Sequence, residues 1–205
     1  NFTKMKIVIF KSNFNPITKY HIKIAKEVLK KKNADLVCFY IDSSLNDDIY
    51  HREKMVKMAI QPYRKFVYIN NYQKLMKRNK ENQYLIFEDI ESEKQSDLFK
   101  TGRLSTVDKK VCSYVFNNGI YAKEIINSYV SSKRFKHCLS VADICLKIAR
   151  GNNLDEYKAY LIGLYHDIAK DLSKEELLIY MNIYKPYEIK YDYHVWHQYV
   201  GYYYL

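Results

Sequence analysis

An adjacent histidine and aspartate, His166 and Asp167, stand near the end of a predicted apolar helix in the segment LIGLYHDIAKDLSKEEL. Imidazole nitrogen and carboxylate oxygen are both good ligands of divalent transition metals. His137 precedes the pair in RFKHCLSVADICLKIA, and His197 follows it in VWHQYVG. A lone histidine on such a helix is more often a core residue. The alternative is therefore that these histidines are structural residues of a helical bundle and bind no metal. The three histidines and the aspartate together predict a metal site.

Residues 133–205 resemble the bacterial HD-type hydrolases that cleave diadenosine tetraphosphate symmetrically into ADP. The matching segments are RFKHCLSVA, YHDIAKDLSKEEL and WHQYVGYYYL. The resemblance implies that His137, His166 and Asp167 bind iron, manganese or a similar divalent ion. Such an ion would polarise a phosphoryl oxygen and lower the pKa of a bound water.

The same resemblance assigns further residues to the substrate. It implies that His197 contributes to a second metal position or binds phosphate, and that Lys170 lies near the polyphosphate. The basic side chains Lys170 and Arg134 would offset negative charge that develops during hydrolysis. Family members carry a further histidine and a final aspartate beyond the position of Leu205, so we expect the metal shell within these residues to be incomplete at its C-terminal end.

A polar turn follows the first predicted strand, in KIVIFKSNFNPITKYHIKIAKEVL. Doubly wound sheets bind phosphates at the carboxyl edge of their strands, beside helix N-termini. The segment is similar to the Gly-Gly-Ser-Phe-Asp-Pro-Ile-His-x-Gly-His pattern of the nicotinate-nucleotide adenylyltransferases. Asn15 replaces its Asp, Thr18 its first His, and Tyr20 its last Gly. The residues that match the pattern are Phe14, Pro16, Ile17 and His21.

A second signature of that family, Ile-Ser-Ser-Thr-x-Ile-Arg, has an echo in KQSDLFK. The resemblance implies that His21 and Thr18 act with Mg²⁺ and basic side chains as the phosphate of a mononucleotide attacks ATP. Lys100 stands where the signature has Arg, so the positive charge is kept but the two parallel hydrogen bonds of a guanidinium are lost. The nucleotide-binding residues implied by the two signatures are Phe14, Asn15, Ser96 and Lys100.

The stretch between Asn70 and Gln83 is much shorter than the central segment of the transferase family. Two interpretations of this half therefore stay open. It is a working transferase, or it is a scaffold that orients or dimerises the hydrolase, so that a homodimer is one expected assembly.

Hydrophobic periodicity predicts the elements that position these residues. The apolar runs Met5–Phe10 and Asp35–Asp42 predict strands, and Tyr20–Lys31 between them predicts a helix. Because both runs are apolar on both faces, they favour a parallel sheet covered by helices. A further helix over Asp48–Gln61 and short strands over 65–70 and 83–87 complete the predicted α/β half.

After Ile120 the pattern predicts helices only. Ser173 followed by Glu176 is a capping-box pattern. The predicted fold is a Rossmann-like α/β nucleotidyltransferase domain over residues 1–120, followed by an all-α HD-domain bundle over residues 121–205. The helices predicted in the second part are Tyr121–Ser132, Arg134–Arg150, Leu154–Lys170, Lys174–Tyr184 and one from about His194. The predicted buried stripe of the helix that carries His137 consists of Val141, Ala142, Cys145 and Ile148.

Composition limits the partners. The formal charge of +11, from 34 Lys and Arg against 23 Asp and Glu, favours polyanions, although the usage of an AT-rich genome also explains it. We expect nucleotides rather than nucleic acid, because no aromatic-rich RNA motif accompanies the charge. The four cysteines show no paired spacing, which indicates free thiols in a reducing cytoplasm. No apolar run approaches the ~18 residues that span a bilayer, so we expect no membrane.

The leading hypothesis is therefore a two-domain nucleotide enzyme that resembles the fused proteins of small-genome bacteria such as mycoplasmas. Its N-terminal part would transfer adenylyl from ATP to nicotinate or nicotinamide mononucleotide in NAD biosynthesis. Its C-terminal part would hydrolyse diadenosine tetraphosphate or a related nucleotide polyphosphate. The alternative is a degenerate, non-catalytic protein that binds nucleotides or RNA.

Overall fold

A computed structural model of the protein describes residues 4–42 and 49–204. The chain divides into two compact units. The first consists of residues 1–99 and 103–118, and the second of residues 100–102 and 119–205.

Within the described residues of the first unit, four parallel strands form one sheet, in the order β3-β2-β1-β4. The strands are β1 (Lys6–Ser12), β2 (Leu36–Ile41), β3 (Phe66–Tyr68) and β4 (Gln83–Phe87). Val8 in the central strand lies beside Val37 on one side and Leu85 on the other. Ile9 and Phe10 are fully buried, as strands covered by helices require. The predicted parallel α/β sheet is confirmed.

Helices surround this sheet. They are α1 (Lys19–Lys31), α2 (Ile49–Ile60), α3 (Tyr72–Arg78), α4 (Ile90–Lys100) and α5 (Lys109–Asn117). Asp48, where the second helix was predicted to begin, lies outside the described residues. The short stretch before β4 folds as α3, and the Asn71 side chain caps it by accepting the Lys74 amide at 2.7 Å.

The described part of the second unit contains helices and turns but no strand. Its helices are α6 (Ala122–Tyr129), α7 (Ser132–Gly151), α8 (Glu156–Tyr165), α9 (Lys174–Tyr184) and α10 (Trp196–Tyr204). The predicted capping box opens α9, because the Ser173 hydroxyl accepts the Glu176 amide and the Glu176 carboxylate accepts the Ser173 amide. The predicted order of an α/β part and then an all-α part is confirmed.

Three details of the second unit differ from the prediction. The helix predicted over Tyr121–Ser132 ends at Tyr129, and Ser132 already belongs to α7. The helix predicted over Leu154–Lys170 ends at Tyr165, because the next side chain binds a carbonyl of the last helical turn. Ile148 was predicted to belong to the buried stripe of α7, but it is 57% exposed. The core side of α7 carries Cys138, Ala142 and Ala149 instead.

None of the helices in residues 4–42 and 49–204 is long and apolar enough to cross a membrane. All four cysteines are free thiols, as predicted.

Candidate metal centre

The segment after α8 is fixed between two apolar clusters. Ile168 packs with Leu164 and Ala142 in a core between α7 and α8. The next residue, Ala169, packs with Trp196 in a second core that includes residues of α9 and α10. Since consecutive residues are held in two different cores, the backbone at Asp167 has little freedom. Sequence order thus places a carboxylate where the two clusters meet.

The Asp167 carboxylate is the centre of the polar cluster. Its side chain is 8% exposed, and its Oδ2 atom lies 3.5 Å from His166 Nε2 and 3.7 Å from His137 Nε2. Its Oδ1 atom lies 3.3 Å from His197 Nε2. The residues grouped by the sequence analysis therefore lie around one carboxylate, although they come from α7, the end of α8 and α10.

A close helix contact brings the first two histidines together. Gly163 in α8 packs against α7, and a Cβ atom built on it would lie 2.7 Å from Ala142 Cα. The absence of a side chain at Gly163 lets the helices approach each other. His137, five residues before Ala142 on α7, then packs against His166 with 5.3 Å between the ring centroids and an angle of 59° between the rings.

The protonation of His166 follows from its backbone contact. Its Nδ1 atom lies 2.7 Å from the Gly163 carbonyl oxygen. A carbonyl oxygen can only accept, so Nδ1 carries the proton and Nε2 keeps its lone pair. That lone pair is on the side of Asp167 and His137. Metal-binding histidines are usually oriented by this kind of contact.

The donor set fits a divalent cation. Ligand atoms of His137, His166 and Asp167 all lie within 4.8 Å of one another. Bonds of about 2.0–2.2 Å to one ion would hold such atoms roughly 3 Å apart, so the ligand atoms would approach one another by up to about 1.8 Å on metal binding. Two imidazoles and a carboxylate suit iron, manganese or zinc better than magnesium.

Arg134 also contacts the central carboxylate. Its Nη1 atom donates to Asp167 Oδ2 at 2.9 Å, and its Nε lies 3.6 Å from Asp171 Oδ1. Asp171 in turn accepts the Ser131 amide at 2.7 Å, at the start of α7. Partial burial favours the neutral form of Asp171, but the bonds from Ser131 and the Arg134 charge outweigh it and lower the pKa of this carboxyl.

Sequence reasoning missed the role of Asp171. Its signal is the spacing of four residues after Asp167, which brings two carboxylates to the same basic side chain. In the structure these contacts join the start of α7 to the turn that carries Asp167.

Lys170 and His197 form the other side of the cluster. Lys170 Nζ lies 3.2 Å from His197 Nδ1 and donates to the His194 carbonyl oxygen at 3.2 Å. Burial, followed by the Lys170 charge, lowers the pKa of His197. A neutral imidazole and an ammonium group thus lie beside the carboxylate.

In the first unit, the structure brings several predicted nucleotide residues together at the β1–α1 turn. The Thr18 amide donates to His21 Nδ1 at 3.0 Å, and the Phe14 ring packs on the His21 ring with centroids 5.0 Å apart. Asn15 precedes a cis proline in the same turn. Ser96 is buried and donates to the Pro16 carbonyl at 2.7 Å.

Lys100 does not belong to this cluster. Its Nζ atom lies over the Tyr121 ring, 5.4 Å from the centroid, in the second unit.

The buried His21 predicts an acid-sensitive stability. Burial lowers the pKa of His21 from 6.5 to about 3. In the unfolded chain His21 is therefore protonated below about pH 6.5, whereas in the folded chain it stays neutral down to about pH 3. The contribution of neutral His21 to the free energy of unfolding is fully present above pH 6.5. Between pH 6.5 and about pH 3 it is lost by about 1.4 kcal/mol per pH unit as the pH falls.

The test compares urea unfolding of His21→Gln and of the exposed-residue control His194→Gln between pH 7 and pH 4.5. We expect the free energy of unfolding of His21→Gln to fall less steeply than that of the wild type, and the control to follow the wild type. Equal slopes in both variants would contradict a neutral, buried His21.

Comparisons with known proteins agree with this arrangement. Residues 134–205 match the HD domain family model. A stretch of 82 residues is 34% identical to a Mycoplasma pneumoniae protein described as "Probable nicotinate-nucleotide adenylyltransferase/Ap4A hydrolase". A stretch of 83 residues is 34% identical to a protein of the same description from Mycoplasma genitalium. Each match covers 40% of this chain, and the chain spans about a quarter (24%) of these relatives. The resemblance expected from the sequence is confirmed.

Proposed function

We propose that the second unit is a metal-dependent phosphohydrolase that cleaves diadenosine tetraphosphate or a related nucleotide polyphosphate to ADP. The observation that carries this proposal is the convergence of His137, His166 and His197 on the Asp167 carboxylate. The HD-domain match over 134–205 supports the reaction class. The description of the mycoplasma relatives, which names Ap4A hydrolase, supports the substrate.

Each residue has a distinct part in this proposal. His137, His166 and Asp167 hold a divalent ion, iron or manganese, and the Gly163 carbonyl orients His166 for that purpose. A bound ion supplies polarisation of a phosphoryl oxygen and a lower pKa for an attached water.

The basic side chains act on the substrate. Lys170, with its ammonium group beside His197, offsets the charge that develops on the leaving phosphate. His197 binds phosphate or contributes to a second metal position. Arg134 stays paired with Asp167 and Asp171 and holds the start of α7 against the site. From that position its positive charge also favours the approach of an anionic nucleotide.

The test is hydrolysis by the protein supplied with manganese or iron(II). Diadenosine tetraphosphate is added, and the nucleotides are separated by chromatography. We expect ADP as the product, and we expect His166→Ala and Asp167→Ala to lose both metal retention and ADP release. Asp143→Ala, an exposed carboxylate on the same helix as His137, is the control and should match the wild type. Unchanged turnover in either site variant would refute the proposal.

For the first unit we infer adenylyl transfer from ATP to nicotinate or nicotinamide mononucleotide. The supporting observation is the placement of Thr18, His21 and Phe14 at the carboxyl end of the central strand, where open α/β sheets bind nucleotides. The relatives' description names the same activity. In this proposal Thr18 and the neutral His21 stabilise the ATP phosphates with Mg²⁺, while Asn15 and Ser96 contribute to nucleotide binding, and Lys100, which lies in the second unit, takes no part.

A further inference from the structure

The sheet of the first unit has a crevice where its strand order reverses. β2 and β3 extend from one side of β1, while β4 pairs with the other side. In open α/β sheets, ligands bind outside the carboxyl ends of the two strands at such a point. A cavity of about 150 Å³ lies there, lined by the end of β1 and by residues that follow β1, β2 and β4.

The groups in this crevice that could bind a phosphate already hold carboxylates of the chain. The Ser12 hydroxyl donates to Glu93 Oε1 at 2.7 Å, and the Asn13 amide donates to the same oxygen at 2.9 Å. Lys11 Nζ lies 2.9 Å from Asp42 Oδ2 and 2.9 Å from Glu88 Oε1. A backbone amide, a hydroxyl and an ammonium group at a strand–helix turn are typical of an anion site.

The buried histidine is connected to the same carboxylate. Because His21 Nδ1 accepts the Thr18 amide, its ring proton is on Nε2. This nitrogen lies 3.5 Å from Ser12 Oγ, and the Ser12 hydroxyl proton goes to Glu93. The donor of His21 is therefore used within a chain of hydrogen bonds that ends on the Glu93 carboxylate.

The positive charge of Arg52 lies near the β1–α1 turn and favours an anion at the Asn13 amide. Arg52 is 2% exposed, and its Nη1 atom donates to the Asn13 carbonyl at 3.2 Å. A buried guanidinium thus lies on one side of Asn13 and the Glu93 carboxylate on the other. The carboxylate occupies the position that an incoming phosphate oxygen would need.

We propose that Glu93 is a built-in anion at the phosphate position of the β1–α1 turn and that it excludes phosphate groups from the crevice until it is displaced. This inference deepens the transferase function proposed above, on which the nature of the incoming phosphate rests. Glu93 then decides whether the turn accepts a nucleotide. It lies on the first turn of α4, so a movement of this side chain or of the helix start opens the site.

The experiment titrates the ¹⁵N-labelled full chain with inorganic pyrophosphate in the presence of EDTA and follows the Asn13 amide by NMR. That resonance reports on the turn itself and not on the second unit. We expect pyrophosphate to leave it unchanged in the wild type. In Glu93→Ala we expect a saturable shift, because a like charge at the binding position is removed.

Two further variants complete the test. Glu93→Gln keeps the shape without the charge and should give an intermediate affinity. Glu91→Gln removes a carboxylate that pairs with Lys94 on the same helix and should behave as the wild type. A shift of the Asn13 resonance in the wild type, or none in folded Glu93→Ala, overturns the proposal. Because the readout is binding, it stands or falls separately from adenylyl transfer, which is measured as pyrophosphate release from ATP and mononucleotide.

Discussion

Replacing Asp167 with Asn is expected to abolish metal retention and to lower the rate of nucleotide hydrolysis by more than about 100-fold. Changes to the groups that orient metal ligands already cost roughly 10- to 100-fold, and Asp167 is proposed as a ligand itself. The amide keeps the shape of the side chain but loses the negative charge shared by His137, His166 and Arg134. Calorimetric titration with manganese and steady-state hydrolysis measure the two effects.

The matched control for this variant is Asp143→Asn, on the exposed side of α7. It carries the same change of charge on the helix that bears His137, so it separates the loss of a ligand from a general change in electrostatics. We expect its metal affinity and turnover to equal those of the wild type. Equal losses in both variants would show that the position of Asp167 is not special.

Replacing Gly163 with Ala is expected to lower the free energy of unfolding by about 1–3 kcal/mol and to weaken metal binding as well. The added methyl group would lie 2.7 Å from Ala142 Cα, 2.9 Å from its amide nitrogen and 3.0 Å from Cys145 Sγ. Backbone atoms cannot move aside as the end of a flexible side chain can, so α7 and α8 must separate. The Gly163 carbonyl that orients His166 would move with α8.

Gly151→Ala is the control for this substitution. Its added methyl group would meet nothing within 4 Å, and the better helix propensity of Ala should stabilise α7 by about 0.5–1 kcal/mol. Thermal and urea unfolding of the two variants, followed by manganese titration, make the comparison. Similar stability in both variants would contradict the close contact between α7 and α8.

The fold was predictable where a local sequence pattern marks both ends of an element. β4 begins and ends where the sequence predicted, and α9 does as well, because a capping box and an apolar run specify their ends. The end of α8 was not predictable, since it depends on the His166 ring binding the Gly163 carbonyl. The prediction that Ile148 is buried was wrong, because periodicity alone did not show which face of α7 would be covered by α8.

The sites follow the same rule. The grouping of His137, His166 and Asp167 was visible in the residue types and their order, and the geometry places them within one cluster. Contacts between residues far apart in the chain were not visible. Glu93 lies 80 positions from Asn13, and no local pattern connects them.

The central claim is that Asp167 and the surrounding histidines hold a catalytic metal ion. The most direct measurement is elemental analysis of the purified protein beside His166→Ala, after both are exposed to iron(II) and manganese and then dialysed. We expect a stoichiometric amount of one of these metals in the wild type and its loss in the variant. A wild type that retains neither metal would contradict the account and favour a nucleotide- or RNA-binding protein without catalysis.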